Sequence, residues 1–144
     1  MDTAKRIKLI GGTASPYTQK MVALLRYRRI PHAMIWGDPG GVLDSISGAL
    51  DNMEIEKPRP TFMPTFLFDK DDGGIEAVCD STPIIRRLES MYTGRSVLPT
   101  DPALAFIDYL IEDFADEWCT KFMFHYRWYP RSEEHTSELQ SPCN

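Results

Sequence analysis

The sequence predicts an α/β fold, a small mixed sheet flanked by helices and followed by one long helix. Three observations predict it. The run Arg6 to Ile10, a helical stretch, and the apolar run His32 to Trp36 follow in an order that implies a parallel strand pair with a right-handed crossover. Two β-favouring runs, Thr65 to Phe68 and Ile75 to Cys79, flank Asp71-Asp72-Gly73-Gly74, the signal of a hairpin. Beyond Leu98-Pro99-Thr100, apolar residues recur at steps of three and four.

Taken in order, the first strand sets Ile7 and Leu9 against Lys8 and Ile10, and Gly11-Gly12-Thr13-Ala14 breaks it. Ser15-Pro16 starts a helix to about Arg29, with Met21, Val22, Leu24, Leu25 and Ile30 as its buried stripe. Pro31 stops this helix. In the second strand Ala33, Met34, Ile35 and Trp36 are too continuously apolar for an exposed edge. The region Gly37 to Pro60 has weak periodicity between Val42 and Met53, so at most a short or irregular helix is expected there. After the hairpin, Ser81 or Thr82 caps a further helix whose first turn tolerates Pro83, because the missing amide would be unpaired there anyway. Thr93-Gly94 breaks that helix. Strand, helix, strand, weak helix, hairpin and helix make the layout of the thioredoxin fold.

A second unit begins with Asp101 as cap and Pro102 at the first helical position. Leu104, Ile107, Ile111, Phe114 and Trp118 form its apolar stripe, and Phe106, Leu110, Phe122 and Met123 widen it. Such a helix needs other helices around it, and unpartnered it predicts poor solubility.

Composition narrows the function. A length of 144 residues suits one domain plus a fragment of another, and 42% apolar residues permit a real core. The formal charge of −5 argues against a nucleic-acid partner, and Arg26, Arg28 and Arg29 read as the solvated end of a helix. Cys79, Cys119 and Cys143 share no metal-ligand spacing and are odd in number, so neither a metal site nor a disulfide framework is expected; a reducing cytoplasm fits best. No stretch is long and apolar enough for a signal peptide or a membrane span, and no membrane partner is expected.

The tail from Arg131 to Ser141 resembles the translation of a short-read sequencing adapter. On this reading residues 131–144 are an artefactual disordered tail, the native sequence stops near Pro130, and His135 and Cys143 carry no information.

Three motifs in order carry a wider resemblance: Met63-Pro64 before a strand, Asp80-Ser81-Thr82-Pro83-Ile84 at a helix start, and the linker Leu98-Pro99-Thr100-Asp101-Pro102. From about Ile7 to Trp128 the chain resembles the glutathione transferases. The resemblance implies a thioredoxin-like, glutathione-binding domain over residues 1–95, and a linker with the first helix of a truncated helical domain over 96–130. It also implies glutathione as co-substrate with no other cofactor, a small electrophile as second substrate, and a homodimer in the full-length protein. Little or no catalysis is expected from the chain as it stands.

The site residues are read on that basis. Family members keep a cis proline at the corner where Met63-Pro64 stands, so this bond is expected to be cis, its kink exposing the Met63 backbone to an extended peptide ligand. The Ser81 hydroxyl and amide, at a helix start, supply donors for the γ-glutamyl carboxylate, and Asp80 approaches its ammonium. A plain N-cap with an acidic neighbour would look the same. Ser15 is the catalytic candidate, because a hydroxyl at a helix start stabilises the glutathione thiolate. Thr13 and Tyr17 are its rivals, and an N-cap serine is the structural alternative.

Ser15-Pro16-Tyr17-Thr18 stands where redox members of the fold carry Cys-x-x-Cys, which argues against thiol-disulfide exchange. Cys79 and Cys119 read as buried structural thiols. His32 and His125 lack partners at ligand spacing. Trp118, Phe122, Tyr126 and Trp128 read as packing residues, or as part of the electrophile cleft. Lys57 and Arg59 lie in an irregular loop and take no assigned role. The alternative to a transferase is a glutathione-binding or dimerisation module of the same shape without turnover.

Overall fold

A computed structural model of the chain describes residues 7–37 and 42–128. The expectations for the tail 131–144, with His135 and Cys143, lie outside them. By its contacts the chain divides into two units after Val97, and each is described by itself.

The first unit is a four-stranded sheet in the order β2-β1-β3-β4. Strand β1 (Ile7–Gly11) pairs in parallel with β2 (His32–Trp36), as the helical connection between them requires. On its other side β1 pairs antiparallel with β3 (Thr65–Asp69), which pairs antiparallel with β4 (Ile75–Val78). The hairpin turns where Gly73 takes φ 84, and Asp72 Oδ1 accepts the Gly74 N–H at 2.8 Å.

Because side chains alternate along a strand, β1 and β3 feed two cores. Leu9, Phe66 and Phe68 face Met21, Val22 and Leu25 of helix α1 (Pro16–Arg28) and Ile84 and Leu88 of helix α3 (Ser81–Met91). Ile10 and Leu67 face Ile46 and Leu50 of helix α2 (Val42–Asn52). The unit is thus the thioredoxin-like α/β fold.

Several expectations need correction. Strand β2 is an edge strand after all, with Ile35 38% and Trp36 49% exposed, because the hairpin adds to the sheet on the far side of β1. Helix α2 is regular over eleven residues; Ile46 and Leu50, one turn apart and wholly buried, anchor it where the wider pattern is weak. The cap of α3 is Asp80, whose Oδ1 accepts the Thr82 N–H at 3.2 Å, and Ser81 is the first helical residue. Arg28 is not solvated but buried, its guanidinium 3.0 Å from Glu89. Cys79 is half-buried and Cys119 exposed, so neither is a core thiol.

The second unit is helical from α4 (Pro102–Asp113) through a π-helical turn (Phe114–Cys119) to α5 (Thr120–Trp128). Asp101 Oδ1 accepts the Leu104 N–H at 2.9 Å, and Pro102 takes the first position. The sequence reads as one α-helix, but the π-helical turn widens its middle and shifts the faces beyond it. Leu104, Phe106, Ile107, Leu110, Ile111, Phe114, Trp118, Phe122 and Tyr126 are all exposed. Among the described residues no helix is long and apolar enough to cross a membrane.

Candidate functional site

Each candidate residue stands at the start of an element: Ser15 at α1, Met63-Pro64 just before β3, and Asp80 with Ser81 at α3. At α1, Ser15 holds an extended backbone and its Oγ accepts the Thr18 N–H at 3.2 Å. A hydroxyl has one donor and two acceptor sites, so capping leaves its proton to donate elsewhere. Ser15 is half-buried and thus open on one side. Thr13 is exposed, and its carbonyl accepts from the Gln19 side chain at 2.9 Å; Tyr17 is half-buried in the first helical turn.

Thr18 explains the glycine before this loop. A Cβ on Gly11 would lie 2.6 Å from Thr18 Oγ1 and 2.8 Å from its Cγ2, closer than real contacts allow. The Thr18 hydroxyl is wholly buried with no hydrogen-bond partner among the described residues.

At β3, the Met63-Pro64 bond is cis, and so is Arg59-Pro60, which the sequence did not single out. Pro64 is buried and opens a central strand, since β3 lies between β1 and β4. Thr65 Oγ1 donates to Phe62 O at 2.8 Å across the corner. Met63 is half-buried and packs on the α2 side of the sheet.

At α3, Asp80 sits at φ 83 and ψ 117, a backbone region that costs a residue with a side chain about 1–3 kcal/mol. Its capping bond to Thr82 offsets part of that cost. Ser81 is 4% exposed, and its Oγ accepts from Lys20 Nζ at 3.0 Å. Lys20 is the site residue that sequence reading missed. It stands two residues beyond Ser15-Pro16-Tyr17-Thr18, but nothing in a helical pattern shows which neighbour a half-buried lysine meets.

The remaining candidates lie elsewhere. Lys57 pairs with Asp51 of α2 at 2.7 Å. Arg59 lines a cleft of about 340 Å³ between the 58–62 loop and β4, which takes in Phe62, Cys79 and Asp80 but not Ser15, Met63 or Ser81. Cys79 Sγ donates to Pro60 O at 3.0 Å. His32 Nδ1 lies 2.9 Å from Ile30 O, and His125 packs edge-on to Tyr126. No group of three His, Cys, Asp or Glu side chains among the described residues could hold a metal ion.

The arrangement offers a serine hydroxyl at each of two helix starts, an acidic side chain at the start of α3, and the Lys20 ammonium of α1 bonded to Ser81. A ligand that carries both a carboxylate and an ammonium matches that set of charges.

Residues 9–96 match the family model described as the glutathione S-transferase N-terminal domain. Among solved structures, a glutathione S-transferase from Methylobacterium radiotolerans in complex with glutathione sulfonate is 21% identical, with a TM-score of 0.65 over 84% of this chain and 51% of that one. A Tau class glutathione S-transferase from mango, Mangifera indica, is 17% identical, with a TM-score of 0.61 over 94% of this chain and 58% of that one. A glutathione transferase family member from Pseudomonas fluorescens with bound glutathione is 20% identical, with a TM-score of 0.57 over 92% of this chain and 62% of that one. The chain thus spans between half and two thirds of the length of these structures. No curated protein matches it.

Proposed function

Because the chain belongs to the glutathione S-transferase family, we propose that its first unit binds glutathione and activates the thiol for conjugation to a small electrophile. One observation carries this reading: the 3.0 Å bond from Lys20, in the second turn of α1, brings a positive charge to the Ser81 hydroxyl that would hold the ligand carboxylate. The two solved relatives that hold glutathione or its sulfonate support the choice of ligand.

In the proposed complex, the Met63 backbone beside Pro64 pairs with the glutathione backbone like an added strand. The γ-glutamyl carboxylate accepts hydrogen bonds from the Ser81 amide and hydroxyl, and Lys20 adds the compensating positive charge. Asp80 receives the ammonium. Ser15 donates its hydroxyl to the sulfur, and the α1 dipole favours the thiolate over the thiol. The thiolate then attacks the electrophilic carbon, forming the C–S bond while the leaving group departs with the displaced electron pair. Ser15 stabilises charge in this step and forms no covalent bond. We place the protein in the cytoplasm, where the free thiols Cys79 and Cys119 would remain reduced.

The test is retention on immobilised glutathione beside a conjugation assay, run on this chain and on a version completed with a second helical domain. Binding with turnover in the completed version supports the transferase. Binding without turnover favours the second reading, a glutathione-binding or dimerisation module, and no retention by either version overturns both. An unchanged rate on Ser15→Ala would remove Ser15 from the mechanism.

A further inference from the structure

We propose that residues 92–97 form a strap that detaches from the first unit by itself, with the Arg28–Glu89 pair as its latch. The segment follows the end of α3 and leads to Leu98, where the second unit begins. It has neither helical nor strand backbone; the Tyr92 N–H caps α3 on Leu88 O at 3.0 Å, and beyond that its attachment rests largely on side-chain contacts.

Those contacts converge on one arginine. Arg28 Nη2 donates to Tyr92 O at 2.6 Å and reaches Gly94 O at 3.4 Å. Arg28 Nη1 lies 3.0 Å from Glu89 Oε1, and that same oxygen accepts the Val97 N–H at 3.1 Å. The start and middle of the strap are thus held by Arg28 directly, and its end through Glu89. Arg95 adds one outer contact, its guanidinium 4.5 Å over the Tyr27 ring.

The latch is built to open at moderate cost. The Arg28 side chain is 1% exposed, yet its Nε has no hydrogen-bond partner among the described residues, and Nη1 meets Glu89 outside hydrogen-bond geometry. A buried charge satisfied only in part carries a desolvation penalty that the ion pair offsets incompletely, and opening returns the guanidinium to water. Thr93, Gly94, Arg95 and Ser96 are exposed, so the apolar burial that opposes detachment is chiefly that of Tyr92, which packs against the core at the start of the strap. Leu9 and Phe66, in contrast, are wholly buried, and the sheet they belong to opens only with the core.

The experiment is native-state hydrogen exchange of the full chain, read at the Val97 amide and at the paired amides of β1 and β3, with tryptic cleavage after Arg95 as a second readout. In the parent chain Val97 is expected to exchange ahead of the sheet. Arg28→Met is expected to speed Val97 exchange and Arg95 cleavage by about tenfold, with a smaller change in the sheet amides. Glu89→Gln keeps an acceptor for Val97 and is expected to give a smaller acceleration at the same places. Equal acceleration of strap and sheet, or none at either, would overturn the strap. Should Arg28→Met fail to fold, Glu89→Gln decides alone by the same comparison.

Discussion

Lys20 Nζ donates to Ser81 Oγ at 3.0 Å across 61 residues of sequence, and this bond ties the second turn of α1 to the start of α3. It places a positive charge beside a hydroxyl that is otherwise sealed from solvent. Ser81→Ala is expected to cost about 1 kcal/mol of stability, the net worth of a typical hydrogen bond. Lys20→Met removes the same bond and should cost a similar amount, about 1 kcal/mol, while lowering retention on immobilised glutathione by about tenfold, the loss of one charge-assisted contact. Chemical denaturation and quantitative affinity retention measure the two effects separately. Unchanged retention by Lys20→Met would show that the lysine only braces the helices.

Gly11 and Thr18 make a matched pair. Gly11→Ala would force a Cβ to within 2.6 Å of Thr18 Oγ1 and should destabilise by about 1–3 kcal/mol. Adding Thr18→Ala removes the two nearest of the three crowding atoms and leaves Met34 Cε at 3.2 Å, so the double variant is expected to be more stable than the single costs would sum to. Urea midpoints of the parent, the two single variants and the double variant close the cycle.

Arg29 ends α1 at φ 58, a left-handed conformation that favours glycine, while Ile30 N–H bonds back to Leu25 O at 2.9 Å. Arg29→Gly is expected to stabilise by about 1 kcal/mol, because it relieves the Cβ clash that α1 tolerates now. Arg29→Ala serves as control and should give no gain. Thermal melting of the three proteins decides it.

Tyr92 supplies the pH dependence. Burial pushes its phenol above the usual value of 10.0. The folded chain therefore holds this proton more tightly than the unfolded one, so the contribution is whole below pH 10.0 and is lost as pH rises through the raised folded value. Tyr92→Phe is expected to flatten the alkaline fall in stability. Denaturation midpoints between neutral and strongly alkaline pH measure the slope, and identical slopes would remove Tyr92 from it.

Much of this unit was legible in its sequence. The hairpin around Gly73, the proline-led start of α1 and the Asp101 cap all follow from local chemistry, in which a residue and its neighbours within one turn settle the outcome. The cap of α3 was misplaced by one residue, because Asp80 and Ser81 are both good caps and only the backbone turn at Asp80 distinguishes them. Helix α2 was underrated because two residues, Ile46 and Leu50, carry its burial.

By itself, the sequence determined the order of strands and helices and the turns between them, since periodicity and capping act within a few residues, and its motifs carried the resemblance to the family. Only the tertiary structure decided that β2 lies at an edge, that Arg28 lies inside, and that Lys20 meets Ser81. Long charged side chains carry apolar stems and polar heads, so their helical position leaves open whether they reach water or a partner. That choice falls to whichever helix packs beside them on the sheet.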